Sequence, residues 1–133
     1  MDYVIIDGKA YDVLVMEIEE GFEILYTENT GRTIAPGAPL SLDPLGTFIS
    51  HTVTFKRKQG KEAEFDALFN FLLQPRNEGF PVDMVHDQDT INYKAYCSSG
   101  SRKVLKILKD RKGVDWDKMT VKFIPTEAQV LPL

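Results

Sequence analysis

The chain has 133 residues, 43% of them hydrophobic and 27% charged, with a net charge of −4, one cysteine and two histidines. That length suits a single domain, residues 1–133, around one core, and the balance is that of an ordinary globular protein. Cys97 alone excludes an internal disulfide and a cysteine-built zinc cluster, and no stretch approaches the ~18 apolar residues of a spanning helix, so no membrane partner is expected.

The opening "MDYVIIDGKAYDV" puts Asp2 where a secretion signal would carry positive charge, which predicts a chain that folds in the cytosol. Asp7-Gly8 sits between two β-rich runs and predicts a tight hairpin, because this dipeptide adopts positive φ at low cost. In the second run Leu14, Met16 and Ile18 alternate with Val15, Glu17 and Glu19; after Gly21 the period resumes in Phe22, Ile24 and Tyr26, which predicts a bulge or a bend there.

Residues 27–47, "TENTGRTIAPGAPLSLDPLGT", hold three glycines and three prolines and no apolar period. So long a connection is uncommon in a compact domain unless it is functional or disordered. Disorder fits poorly, since the stretch carries Ile34, Leu40, Leu42 and Leu45 against three charges, Glu28, Arg32 and Asp43. Something must cover those side chains.

Next, "TFISHTVTFKRK" places Ile49, His51, Val53 and Phe55 on one face of a strand and Ser50, Thr52, Thr54 and Lys56 on the other. A helix is predicted over about 62–74: Phe65, Leu68, Phe69, Leu72 and Leu73 form one stripe, Glu62, Glu64 and Asp66 favour its first turns, and Pro75 stops it. Strands follow in "FPVDMVH" (Phe80, Val82, Met84, His86 inward), "INYKAYCSS" (Ile91, Tyr93, Ala95, Cys97 inward), "RKVLKILK" and "KMTVKFIP" (Met119, Val121, Phe123 inward). "HDQDT" and "SSGS" read as turns, "DRKGVDWD" as a polar loop, and Pro125 and Pro132 bracket an extended tail. The order is about three strands, long loop, strand, helix and four strands, with no internal repeat.

Candidate chemistry is sparse. Asp83, His86, Asp87 and Asp89 are the densest set of possible ligands, but Asp87 and Asp89 are also what a hairpin turn wants, and the set matches no ligand spacing, so no metal site is expected. Cys97 could be paired with His51 or His86 as a nucleophile, yet its alternation makes it a small inward residue; no catalytic residue, enzyme activity or cofactor is expected. "FKRKQGK" and "SRKVLKILKDRK" are basic but lack interleaved aromatics, which argues against specific nucleic-acid binding, and Trp116 reads as a packing residue. Residues 1–47 hold nine acids against Lys9 and Arg32, while residues 48–133 hold 14 bases against 11 acids. Such a split is either solvated surface or a means for opposite ends of two copies to attract.

The pattern "IDGKAYDV", "GAPLSLDPLGTFISHTVTFKRK" with "EFDALFNFLL", "FPVDMVHDQDTINYKAYCSSGSRKV" and "GVDWDKMTVKFIPTEAQV" resembles a family of small tail proteins from phages and prophages of Gram-positive bacteria. The likeness spans nearly the whole chain and lies in the order of weak motifs, an order similar to tail-tube proteins and the first domain of distal tail proteins. The resemblance implies an α+β, mostly β fold: an antiparallel β-sandwich or rolled sheet of about seven to eight strands with one flanking helix. It implies a structural virion component that forms a ring, usually of six subunits, with neighbouring tail or baseplate proteins as partners and DNA only as passing cargo in a central channel. Assembly would take place in the host cytoplasm and the product would be a virion tail or tail-like particle. In such rings the long loop leaves its subunit, which makes Arg32, Ile34, Pro36, Leu40, Leu42 and Leu45 the expected oligomer interface. No stacking loops are identifiable, so tube, tip, baseplate and tail-end roles all fit. The alternative from a different class is an independent binding module whose loop 27–47 contacts a peptide, carbohydrate or host protein.

Overall fold

The computed structural model describes residues 4–107 and 114–133. Its strands are β1 (Ile5–Ile6), β2 (Leu14–Tyr26), β3 (Gly31–Arg32), β4 (Leu40–Ser41), β5 (Pro44–Lys56), β6 (Phe80–His86), β7 (Asp89–Tyr96), β8 (Gly100–Ile107) and β9 (Val114–Pro125), and the helix among the described residues is α1 (Glu62–Leu73). The expected mostly β, α+β architecture is present: seven strands form one antiparallel sheet in the order β1-β6-β7-β9-β5-β2, with β8 also on β9, and β3-β4 form a separate ribbon.

β9 is the hinge of this rolled sheet. One edge pairs β5 from Lys118 to Phe123; the other pairs β8 from Val114 to Val121 and then β7 at Ile124 and Pro125. The sheet therefore splits into two limbs, β1-β6-β7 and β8-β9-β5-β2, which share β9. Between them lies the core: Val53, Phe55, Met119, Val121 and Phe123 meet Val82, Met84, Tyr93 and Ala95, and Phe65 and Leu68 of α1 close the side. All but two of these come from the alternating positions read in the sequence, because a strand with one dry face must bury every second residue; Leu68 and Phe65 follow the helical period instead.

Several local expectations are corrected. The Asp7-Gly8 turn is there, with φ of 51° and 77° and paired bonds between Ile6 and Lys9, but the runs it joins do not pair with each other. β1 pairs with β6 and β2 with β5, because the buried faces of β5 and β6 give both runs more to pack on. Only two strands, not three, precede the long loop: Gly21 causes no break, standing opposite Ser50 in a continuous β2, and the register shifts lie at Val15/Glu17 and Leu25/Tyr26.

The helix ends at Leu73, one residue early, where Arg76 donates to the carbonyls of Phe71 (2.7 Å) and Gln74 (2.9 Å) and lies 4.0 Å from the Phe71 ring centre. A cation there complements the negative end of the helix dipole. Leu73 is exposed and Phe71, not in the predicted stripe, packs edge-on to Phe80. β9 starts at Val114, earlier than predicted, so Trp116 lies inside it opposite Val104; the remainder of the predicted polar loop, residues 110–113, lies outside the described residues.

Candidate assembly surface

β2 and β5 continue past the core as a two-stranded arm. Tyr26 pairs with Pro44, and beyond them Thr27 N–H donates to the Asp43 carbonyl (2.9 Å) while the Thr27 hydroxyl donates to the Asp43 carboxylate (2.6 Å). Thr30 Oγ1 accepts from Asp43 N–H (2.8 Å), β3 and β4 pair at Gly31↔Ser41 and Arg32↔Leu40, and a turn closed by Ala38 N–H to the Ala35 carbonyl (2.8 Å) forms the tip. The long loop is thus a β ribbon built on its own hydrogen bonds, shorter at its base than the sequence suggests because β5 begins at Pro44. Its threonines supply side-chain oxygens to backbone donors and Asp43 accepts the Thr27 hydroxyl, which ties the chain without hydrophobic burial.

The six residues singled out in the sequence all lie on this ribbon or at its base. Arg32 is in β3, Ile34 and Pro36 are at the tip, Leu40 is in β4, Leu42 joins the ribbon to β5 and Leu45 is in β5. Ile34 is fully exposed, and Leu40, Leu42 and Leu45 keep 47%, 57% and 54% of their surface open. Leu42 also lines a shallow groove with Ile24, Tyr26 and the tail residues Val130 and Leu131.

The sequence reading did not single out the rest of the apolar surface on β2. Leu14, Val15, Met16, Phe22, Ile24, Leu25 and Tyr26 are all exposed, and Val104, Leu105 and Ile107 are exposed on β8 at the other end of the same limb. These side chains leave apolar surface open along both outer strands of the limb. The signal was present in the sequence, since β2 alternates no less than β5; periodicity tells which side chains share a face but not which chain covers them.

A second missed feature fastens β2 to the rest of the fold. Glu20 Oε2 accepts from His51 Nε2 (2.9 Å) and from His86 Nδ1 (2.8 Å), and the Val85 carbonyl also accepts from His51 Nε2 (2.9 Å). With two acceptors facing Nε2, that atom carries hydrogen, and in this tautomer Nδ1 accepts from the Tyr93 hydroxyl (2.7 Å). Burial pushes the Tyr93 pKa well up, so its hydroxyl remains a donor. His51 is completely buried and every polar atom of its ring is satisfied. Burial opposes ionisation of Glu20, but hydrogen bonds from His86 and His51 outweigh it and hold the carboxyl below its ordinary range. The same bond to Glu20 raises the His86 pKa. The cluster joins β2, β5, β6 and β7, and it needs residues far apart in sequence, so no local pattern could announce it.

The other candidates find structural partners. Asp83 accepts from Asn92 (2.7 Å), Asp87 with φ of 53° makes the β6-β7 turn, and Asp89 accepts from Thr90 N–H (2.9 Å). Cys97 is half-buried, and burial pushes its thiol up to about 12. Within the basic stretches, Arg57 pairs with Glu62 (3.1 Å) and Asp115 (3.6 Å), Lys58 with Asp12 (2.6 Å), and Arg102 with Asp66 (2.9 Å). Arg102 also lies over the rings of Phe69 (4.1 Å) and Trp116 (3.8 Å), holding β8 to α1. No helix among the described residues is long and apolar enough to cross a membrane.

No protein-family model matches the chain, and no curated protein matches it in sequence. Its fold is nevertheless similar to that of a chain in a solved tail particle. That chain is from the tail of an empty GTA particle determined with C6 symmetry; the match covers 94% of this chain and 86% of that one, with 9% identity and a TM-score of 0.55. The chain is also similar to the SPP1 Dit (gp 19.1) protein, described as a paradigm of the hub adsorption apparatus in Gram-positive infecting phages, over 93% of this chain and 49% of that one, with 16% identity and a TM-score of 0.48.

Proposed function

We propose that this chain is a non-enzymatic structural subunit of a phage tail or tail-like particle, joined to its neighbours in a ring. The observation that carries the reading is the unpaired, apolar β2 edge and its arm on a fold shared with a six-fold symmetric tail. β2 and β8 bound the same four-stranded limb and run in opposite directions. Two copies side by side therefore bring β2 of one antiparallel to β8 of the next, with Glu17, Glu19 and Glu23 near Arg102, Lys103 and Lys106. Such a contact is head-to-tail and closes when the rotation per copy divides a full turn.

The interface then includes Arg32, Ile34, Pro36, Leu40, Leu42 and Leu45, with the arm reaching a neighbouring subunit or adjoining tail protein. Six copies would match the symmetry of the GTA tail, the ring lumen would pass DNA without holding it, and assembly would precede incorporation into the virion. Native mass spectrometry with negative-stain imaging across concentrations tests this: closed rings are expected, weakening as salt rises. A chain that stays monomeric at every concentration and salt overturns it.

A further inference from the structure

We propose that the groove between the end of α1 and the β7-β8 turn is a socket for Phe22 of a second copy of this chain; the proposal rests on the head-to-tail reading above. The groove holds about 590 Å³ and is lined by Phe69, Leu72 and Leu73 of α1, by Tyr96 and Cys97, and by Gly100 at the start of β8. Leu73 and Tyr96 remain exposed at its mouth, and Arg76 and Glu78 form part of its wall. A socket with an apolar floor and charged rim suits an aromatic anchor.

Phe22 is 73% exposed, the most open aromatic side chain among the described residues that has large apolar surface to lose. Its register opposite the buried Ile49 places it on the core face of the sheet, the side on which α1 and the groove also lie. Strand lengths bring the two together. β2 has 13 residues and β8 has 8, so at least five residues of β2 stay unpaired by the neighbour's β8, and the socket requires a register that leaves them at the Tyr26 end. Because the strands are antiparallel, the end of β2 that carries Phe22, Ile24 and Tyr26 lies at the Gly100 end of β8, which is the end that opens into the groove. Opposite charge favours the pairing of these two strands: β2 carries four glutamates, and β8 carries Arg102, Lys103 and Lys106.

The chain's lone thiol makes the test clean. In a Cys97→Ser background, the pair Phe22→Cys with Leu73→Cys is oxidised in the assembled state, beside the pair Ile34→Cys with Leu73→Cys as a control for the ribbon tip. In the native background, Phe22→Asp is followed by native mass spectrometry and urea unfolding. A ladder of covalent multimers from the first pair is expected, together with at least a tenfold weaker association of Phe22→Asp at an unchanged urea midpoint. Multimers that form as well with Phe22→Asp as with the wild type, a ladder only from the Ile34 pair, or a groove filled by another partner in the assembled particle overturn the socket and leave the ring standing. A wild-type chain monomeric under all conditions overturns both.

Discussion

β2 and β5 are strands of equal length, 13 residues each, paired with each other from end to end, yet they have opposite fates. β5 buries Ile49, His51, Val53 and Phe55 under the second limb and the helix. β2 shares its alternation but leaves every residue save the half-buried Ile18 exposed. The difference comes from position. β5 lies between two strands and below the β6-β7 limb, whereas β2 is an edge that the described residues cover partly, around Ile18 and Glu20 and beside the tail at Ile24 and Tyr26. An apolar strand left bare at an edge is a hazard unless a partner takes it, and the proposed assembly gives β2 such a partner.

The strongest way to break the comparison is to truncate an aromatic on each strand. Phe55→Ala should cost about 3–5 kcal/mol of subunit stability, since it opens a cavity in a closed core. Phe22→Ala should cost less than about 0.5 kcal/mol, as expected of an exposed site. Urea unfolding of the dilute subunit measures both, and equal losses would show that β2 has a hidden core of its own. Next in size is His51→Ala, expected to remove about 2–4 kcal/mol, because it leaves a void and strips the buried Tyr93 hydroxyl of its short partner. Thermal unfolding at fixed pH reads this out.

The smallest effect sharpens the comparison by titrating the clasp that holds β2 down. Glu20 has its pKa lowered from 4.5 in the fold, so its contribution is present above 4.5 and is lost as pH falls through the folded value. His86 has its pKa raised from 6.5, so its contribution is present below 6.5 and is lost as pH rises through the folded value. Both are expressed together between about 4.5 and 6.5. The urea midpoint of the wild type relative to Glu20→Gln should therefore be largest within that window, and a difference that grows steadily toward alkaline pH would contradict the clasp.

The parts legible in the sequence are those governed by near neighbours. The alternation of β5, β6, β7 and the Met119–Phe123 stretch, the amphipathic helix and the Asp7-Gly8 and Asp87-Gln88 turns each follow from a short-range rule. What sequence could not yield depends on which strands meet. Gly21 looked like a break because glycine weakens strands, but pairing with Ser50 overrode that tendency. Trp116 looked like a loop residue because polar neighbours surround it, whereas Arg57 and Arg102 hold it in β9 through its carbonyl (3.0 Å) and its ring. The ribbon was legible as an apolar stretch its own core does not bury and illegible as a hairpin, since Thr27, Thr30 and Asp43 act only once folded against one another.

Beyond the end of β9, Gln129 lies against Ile49, its side-chain oxygen accepting from the Ile49 N–H (2.9 Å) and its nitrogen donating to the Ile49 carbonyl (2.8 Å). A side-chain amide thus imitates one rung of a strand and seals the inner margin of β5 where the neighbouring strand has run out. Among the described strands longer than two residues, β2 and β8 are left with one whole margin vacant each. Under the proposed head-to-tail pairing, one acidic and one basic vacancy would give growth a direction, and a closed ring would leave neither margin bare.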